Sequence, residues 1–238
     1  MSAAEAYDIR SVDRGEVLRY LGYAGQALSP ELDGRIDETV ARCLGTARPA
    51  GCVRVFDVSG VAEKDGVPVI GLEGTALELR GHSIAEHLEG ALAVGVLAVT
   101  LGMGAELELR RLSLTDRVGQ VVFDAAGSAL VERAADAAEA RVVAAAAERG
   151  LFCGTRFSPG YGDFPLETQP ILLATLDAQR ALGITLSPEL LMTPTKSVTA
   201  VVGLFGEPQE GTGREACGTC LCRDFCLLRR SGRTCGRA

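Results

Sequence analysis

The stretch Arg156-Phe157-Ser158-Pro159-Gly160-Tyr161-Gly162-Asp163-Phe164-Pro165 packs two prolines, two glycines, three aromatic rings, a cation and an anion into one segment. Proline and glycine at this density predict a shaped loop, and the residues between them are too specific for a spacer. Arg156 can grip a carboxylate in a two-pronged fork. Free backbone groups around Ser158 can bond an adenine or a ribose, and Tyr161 can stack on a ligand or donate to it. Together these groups suit a zwitterionic ligand. They equally suit a tight corner in which Arg156 braces the loop around Pro159, Gly160 and Tyr161.

Working outward, residues 127–149 are so rich in alanine that helix propensity alone predicts a helix. Within it Glu132 and Asp136 share a face, as do Asp136 and Glu139, the pattern of a solvated surface. Another helix is predicted from about residue 112 to 119, separated from the first by Val121-Val122-Phe123. Downstream, residues 169–182 read as a helix, 186–193 as a turn and short segment, and 197–205 as an apolar strand closed by Gly206.

Toward the N-terminus, residues 11–23 place Val12, Val17, Leu18 and Leu21 at helical intervals, with Asp13 as cap and Gly22 near the end. Pro30 opens a second helix in which Leu32, Ile36, Val40 and Cys43 share a face. Residues 52–57 and 67–79 carry the short apolar runs of strands. A third helix is predicted to start at His82 with Ser83 as N-cap. It is expected to continue through the apolar run 88–101 until Gly102 and Gly104 stop it, its Ala91, Ala93, Gly95 and Ala98 allowing close packing.

A chain of 238 residues, 47% hydrophobic, can bury a substantial core. Its net charge of −7 argues against a general nucleic-acid binder, which needs a basic face. The run 88–101 is interrupted by Glu89 and is shorter than the roughly 20 residues a membrane span requires. The opening residues Met1 to Asp8 carry neither a basic nor an apolar leader region, which predicts a cytoplasmic protein.

Eight cysteines in such a chain point to thiol or metal chemistry rather than a disulfide framework. Cys43, Cys52 and Cys153 are scattered. Cys217, Cys220, Cys222, Cys226 and Cys235 crowd the last stretch, among Arg223, Arg229, Arg230, Arg233 and Arg237. A Cys-x-x-Cys pair lets two sulfurs converge on one metal, and the later cysteines can close a zinc site or an iron-sulfur cluster. The metal's identity stays open. Residues 206–213, rich in Gly, Pro and Glu, read as a linker to this tail.

The string at 156–165, the helix from Gln169 and the later Met192-Thr-Pro-Thr-Lys-Ser-Val-Thr-Ala-Val-Val-Gly203 resemble the activation domain of cobalamin-dependent methionine synthase. There, an Arg-x-x-Pro-Gly-Tyr loop binds S-adenosylmethionine. The likeness extends less specifically to the Glu132 helix, to Thr100-Leu-Gly102 and to the opening Leu18-Arg-Tyr-Leu-Gly-Tyr23. It implies an α+β fold, a curved and mainly antiparallel sheet flanked by helices, over residues 1–206. Residues 207–238 form the linker and cysteine-rich metal-binding tail.

By the same resemblance, Arg156 meets the ligand's methionine carboxylate, the Ser158 backbone contacts its adenosyl part, and Pro159, Gly160 and Tyr161 shape the loop, with Tyr161 near the sulfonium. Glu132 falls where the family has an acid for the ligand's amino group. The chain departs from the pattern in having Ser158 before Pro-Gly-Tyr and Gly162-Asp163-Phe164 after it. It also lacks the homocysteine, folate and cobalamin modules of a complete methionine synthase.

The implied activity is reductive methylation that reactivates cobalamin carried by a partner, either methionine synthase or another corrinoid methyltransferase. An electron donor is then needed, and an iron-sulfur tail would receive or relay the electron. The sulfonium is already electrophilic, so positioning the methyl is the protein's task. His82 and His87, the only histidines, suit capping or packing within a helix better than catalysis. Two other readings stay open. One is a noncatalytic S-adenosylmethionine sensor or corrinoid-protein docking module with a structural zinc tail. The other, a conventional methyltransferase, lacks a glycine-rich Rossmann fingerprint.

Overall fold

The computed structural model of the chain describes residues 4–209. The five clustered cysteines, Cys217 to Cys235, and the metal site expected of them lie outside the described residues. After a two-residue strand β1 (Glu5–Ala6) come helices α1 (Arg14–Tyr20) and α2 (Pro30–Thr46). Strands β2 (Ala50–Lys64), β3 (Val67–Leu72) and β4 (Glu78–Arg80) lead to the short helix α3 (His82–His87) and to β5 (Ala93–Thr100). Two long helices follow, α4 (Gly102–Thr115) and α5 (Arg117–Glu148), and then β6 (Phe152–Phe157). A single 3-10 turn precedes α6 (Gln169–Leu176) and α7 (Ala178–Leu182), and the small hairpin β7 (Thr185–Leu186) and β8 (Met192–Thr193) precedes the last strand, β9 (Ser197–Phe205).

Local chemistry sets the helix starts. The Asp13 carboxylate accepts the Gly15 and Glu16 amides ahead of α1, and the Ser29 hydroxyl accepts the Leu32 amide ahead of α2, where Pro30 stands in the first turn. Asp116, in extended conformation, separates α4 from α5 and caps the latter by accepting the Gly119 amide at 2.9 Å.

The main sheet runs β4-β3-β2-β5-β9-β6, with β1 also paired to β2, and every pairing is antiparallel. The α+β expectation of a mainly antiparallel sheet flanked by helices is therefore met. All eight residues of β5 are buried, and alternate side chains enter two cores. Ala93, Leu97 and Val99 face a layer built from α1, α2, α4 and α5. Val94, Val96 and Ala98 face α3, α6 and α7. Fully burying a side chain the size of Phe123 or Leu172 stabilises the fold by roughly 1.5–3 kcal/mol.

The run 88–101 is thus not the continuation of a helix. It holds the central strand, and α3 ends at His87. A strand buried on both faces shows no polar alternation, so its small residues read as helix packing, whereas Val94, Val96, Val99 and Thr100 suit a pleated surface. Gly102 and Gly104 open α4 instead of closing a helix. The expected break at residues 121–123 is also absent: α5 is continuous over 32 residues and carries Gly119 and Gly127 inside it. The helix expected over 169–182 is divided at Asp177, which takes a left-handed conformation between α6 and α7.

Helix α5 lies close to the sheet because Gly95 lets it. A Cβ at Gly95 would collide with the methyl groups of Val142. Gly95→Ala is expected to cost about 1–3 kcal/mol through overpacking. A chemical denaturation midpoint equal to that of the wild type would show that α5 is not seated this tightly.

Candidate functional site

Among the described residues strand β6 pairs with β9 alone and stands at one end of the main sheet. Arg156 stands opposite Val202 and Phe157 opposite Val201. Their side chains leave on opposite faces, so each flank of the edge has its own chemistry.

On the α5 flank, the Arg156 guanidinium meets three carboxylates projecting from one side of the helix. Its Nη1 donates to Asp136 at 2.9 Å and to Glu139 at 2.8 Å, and its Nη2 donates to Glu132 at 3.2 Å. The face formed by Glu132, Asp136 and Glu139 is therefore the floor beneath Arg156 rather than a purely solvated surface. Arg156 is 22% exposed, Glu139 14% and Glu132 50%, so the cluster opens to solvent at its Glu132 end. One positive charge against three negative ones makes this flank acidic. Cys153, half-buried on β6, has its thiol pushed up by burial and by the nearby charge of Glu139.

On the α3 flank, Phe157 packs among three rings: His87 at 4.8 Å, Tyr161 edge-on at 6.1 Å and Phe164 at 6.2 Å. His87 also places Nε2 2.9 Å from the Thr155 carbonyl, so it packs against β6 and not within its own helix. The loop 158–165 closes on itself, since the Tyr161 amide donates to the Ser158 carbonyl and the Gly160 amide donates to the Phe164 carbonyl. Pro159 is buried beneath it, while Tyr161 is 62% exposed. The structure therefore unites Arg156 with Glu132, and Ser158, Pro159 and Gly160 with Tyr161. Strand β6 connects the two groups.

The N-terminus of α3 pins the loop. The predicted cap Ser83 is itself a donor there: Asp163 accepts the His82 amide at 2.7 Å and the Ser83 amide at 2.8 Å. A cap supplied from 80 residues away is invisible to a search of neighbouring positions. Gly162, with φ of 55°, is pressed so closely on Ser83 that a Cβ would collide with its side chain.

A second anchored segment lies before β9. The buried Glu106 of α4 accepts both the amide and the hydroxyl of Thr195, at 2.9 and 2.8 Å, and pairs with Arg110. Burial opposes ionisation of Glu106, but these donors outweigh it and hold the carboxyl below its ordinary range. Lys196 then reaches α5, 2.9 Å from Ser128 Oγ and 2.8 Å from Asp124. Glu106, Asp124, Ser128 and Lys196 belong to no local motif that marks them as partners. The four-residue spacing of Asp124, Ser128, Glu132 and Asp136 was the signal available.

Among the described residues no group of three or more His, Cys, Asp or Glu side chains is placed to hold a metal ion, and no helix is long and apolar enough to cross a membrane.

A mainly antiparallel sheet with α5 along one face and a Pro-Gly-Tyr loop following its last strand in the order, β6, is the fold that carries these groups. A crystal structure of the MetH reactivation domain bound to AdoHcy shares it, with a TM-score of 0.63 over 98% of this chain and 86% of that one, at 14% sequence identity. No protein-family model and no curated protein matches the chain.

Hydrogen bonds from the His82 and Ser83 amides lower the Asp163 carboxyl to about 2 from an ordinary value of 3.8. A depressed carboxyl contributes stability that is complete above its unfolded value and is lost as pH falls through the folded one. The pinned loop is therefore expected to hold at pH 4 and above and to loosen toward pH 2. Amide hydrogen exchange at His82 and Ser83 checks this. Asp163→Ala, which leaves no side-chain acceptor, should speed exchange at both amides at neutral pH, and unchanged protection would remove the cap.

Proposed function

We propose that the chain binds S-adenosylmethionine at the β6 edge and supports reductive methylation of a cobalamin held by a partner protein, methionine synthase or another corrinoid methyltransferase. The observation that carries this reading is Arg156, held on an edge strand by three carboxylates in a fold shared with an AdoHcy-bound reactivation domain.

The charges of the cluster fit the ligand. S-adenosylmethionine brings an α-carboxylate, an ammonium and a sulfonium, a net positive charge. A flank with one guanidinium and three carboxylates attracts such a molecule and can pair both ends of its amino-acid group. Arg156 takes the carboxylate in its fork, and Glu132, the most exposed of the three acids, turns to the ammonium. Backbone groups at Ser158 meet the adenosyl part where the chain leaves β6. Pro159 and Gly160 set the turn, and Tyr161 swings from its exposed position beside Phe157 to lie near the sulfonium.

Cobalamin in the partner, reduced by one electron, supplies the nucleophile that takes the sulfonium methyl and leaves S-adenosylhomocysteine behind. The residues of this chain need only orient that methyl and keep it accessible, which accords with a site at the end of the sheet. The tail cysteines Cys217, Cys220, Cys222, Cys226 and Cys235 are proposed to hold an iron-sulfur cluster or zinc. A cluster would pass on the electron, and zinc would make the tail a docking element.

Anaerobic titration calorimetry with S-adenosylmethionine, with iron, zinc and sulfide analysis of the same sample, tests the reading. Saturable binding is expected. Arg156→Ala should weaken it about tenfold to a hundredfold, the range for a lost hydrogen-bonded charge pair, and Arg156→Lys should weaken it less. Affinity unchanged in Arg156→Ala would remove the carboxylate role.

A further inference from the structure

Five polar side chains, Asp124, Ser128, Glu132, Asp136 and Glu139, succeed one another along α5 at spacings of four, four, four and three residues and so share one face. Two cations reach that face. Arg156 occupies its Glu132 to Glu139 end, and Lys196 occupies its Asp124 to Ser128 end.

Lys196 is unusually well fixed for a lysine. Its stem crosses α5 at Gly127, where an added Cβ would come within 3.3 Å of its Cγ and Cε. Its carbonyl accepts the Leu101 amide at 2.9 Å, and the preceding Thr195 is clamped by Glu106. Its side chain is 17% exposed, yet Asp124 beside it is 53% exposed. The pair thus offers solvent a firmly placed ammonium edge with an open carboxylate next to it.

The two cations stand along one face of α5. One helical turn, about 6 Å along the axis, separates Ser128 from Glu132. From Arg156, opposite Val202, and Phe157, opposite Val201, the chain runs to Ser158 toward the Ser197 end of β9, beside which Lys196 stands. A ligand gripped at Arg156 and laid along this face toward the start of α5 reaches the Lys196–Asp124 pair.

We propose that Lys196 and Asp124, steadied by Ser128, form the second pole of this face and receive the vicinal hydroxyls of the ligand's ribose. The inference rests on the S-adenosylmethionine reading above. A carboxylate accepts from one hydroxyl while an ammonium donates to the oxygen of its neighbour, so a diol satisfies both partners at once. An acid that accepts from ribose hydroxyls is a recurring device of nucleotide recognition. Lys196 and Asp124 act here as specificity and positioning residues. They fix the adenosyl end so that the sulfonium lies between the two poles.

Calorimetry with S-adenosylhomocysteine and its 2′,3′-dideoxy analogue tests the assignment on the wild type, Asp124→Asn and Lys196→Met. Methionine retains an unbranched stem over Gly127. The wild type should bind the dideoxy compound about tenfold or more weakly than the parent. In either variant the parent should fall toward the dideoxy level, leaving a gap under about threefold. An equal gap in wild type and variants would make Lys196 a structural tether and overturn the proposal. Equal affinity of the wild type for both compounds overturns it without any variant. If the wild type binds neither compound nor S-adenosylmethionine, the underlying reading fails and this one with it.

Discussion

The burial of β5 constrains the whole architecture. A strand with every residue hidden must be hydrogen-bonded on both sides and covered on both faces, because buried backbone groups and apolar side chains tolerate neither exposure nor neglect. Strands β2 and β9 meet the first demand. The layer of α1, α2, α4 and α5 and the layer of α3, α6 and α7 meet the second. Moving outward from β5 through β9, the sheet of the described residues ends at β6. Polar chemistry can collect there without being entombed, and Arg156 and the loop 158–165 are both found there.

The two flanks of β6 do different work because a strand sends successive side chains to opposite sides. Arg156 joins a charged flank and Phe157 an aromatic one. Three acids around one guanidinium fix its position. The cluster is partly exposed at Glu132, so its charges keep part of their hydration. A fully buried version would bear a larger desolvation cost.

Much of this was legible in the sequence. The cap at Asp13, the start of α2 at Pro30 and the strand over 197–205 are local features, and local reasoning finds them. The loop 158–165 announces itself through Pro159, Gly160 and Gly162, though Arg156 and Phe157, read with it, belong to β6. The central strand does not, since Ala93, Gly95 and Ala98 fit a tightly packed helix as well as a strand until the neighbours are known. The acidic face of α5 was readable as a periodicity, but that it lies under Arg156 depends on β6 passing over it, a contact between residues 17 to 24 positions apart. The Asp163 cap and the Glu106 clamp on Thr195 span 80 and 89 positions and leave no local trace.

Gly95 sits mid-sheet beneath Val142, in contact with none of the charged groups. The missing side chain sets the height of α5 above the sheet, and so the length that an arginine on β6 must bridge to reach the acids of that helix. Val142 lies one turn beyond Glu139, so lifting the helix at Gly95 would raise the Glu139 end first and tilt the whole row of acids. A glycine in the apolar interior thus works as a spacer gauge for a charged cluster at the end of the sheet. Its identity is bound to the geometry of that cluster as firmly as that of Arg156 itself.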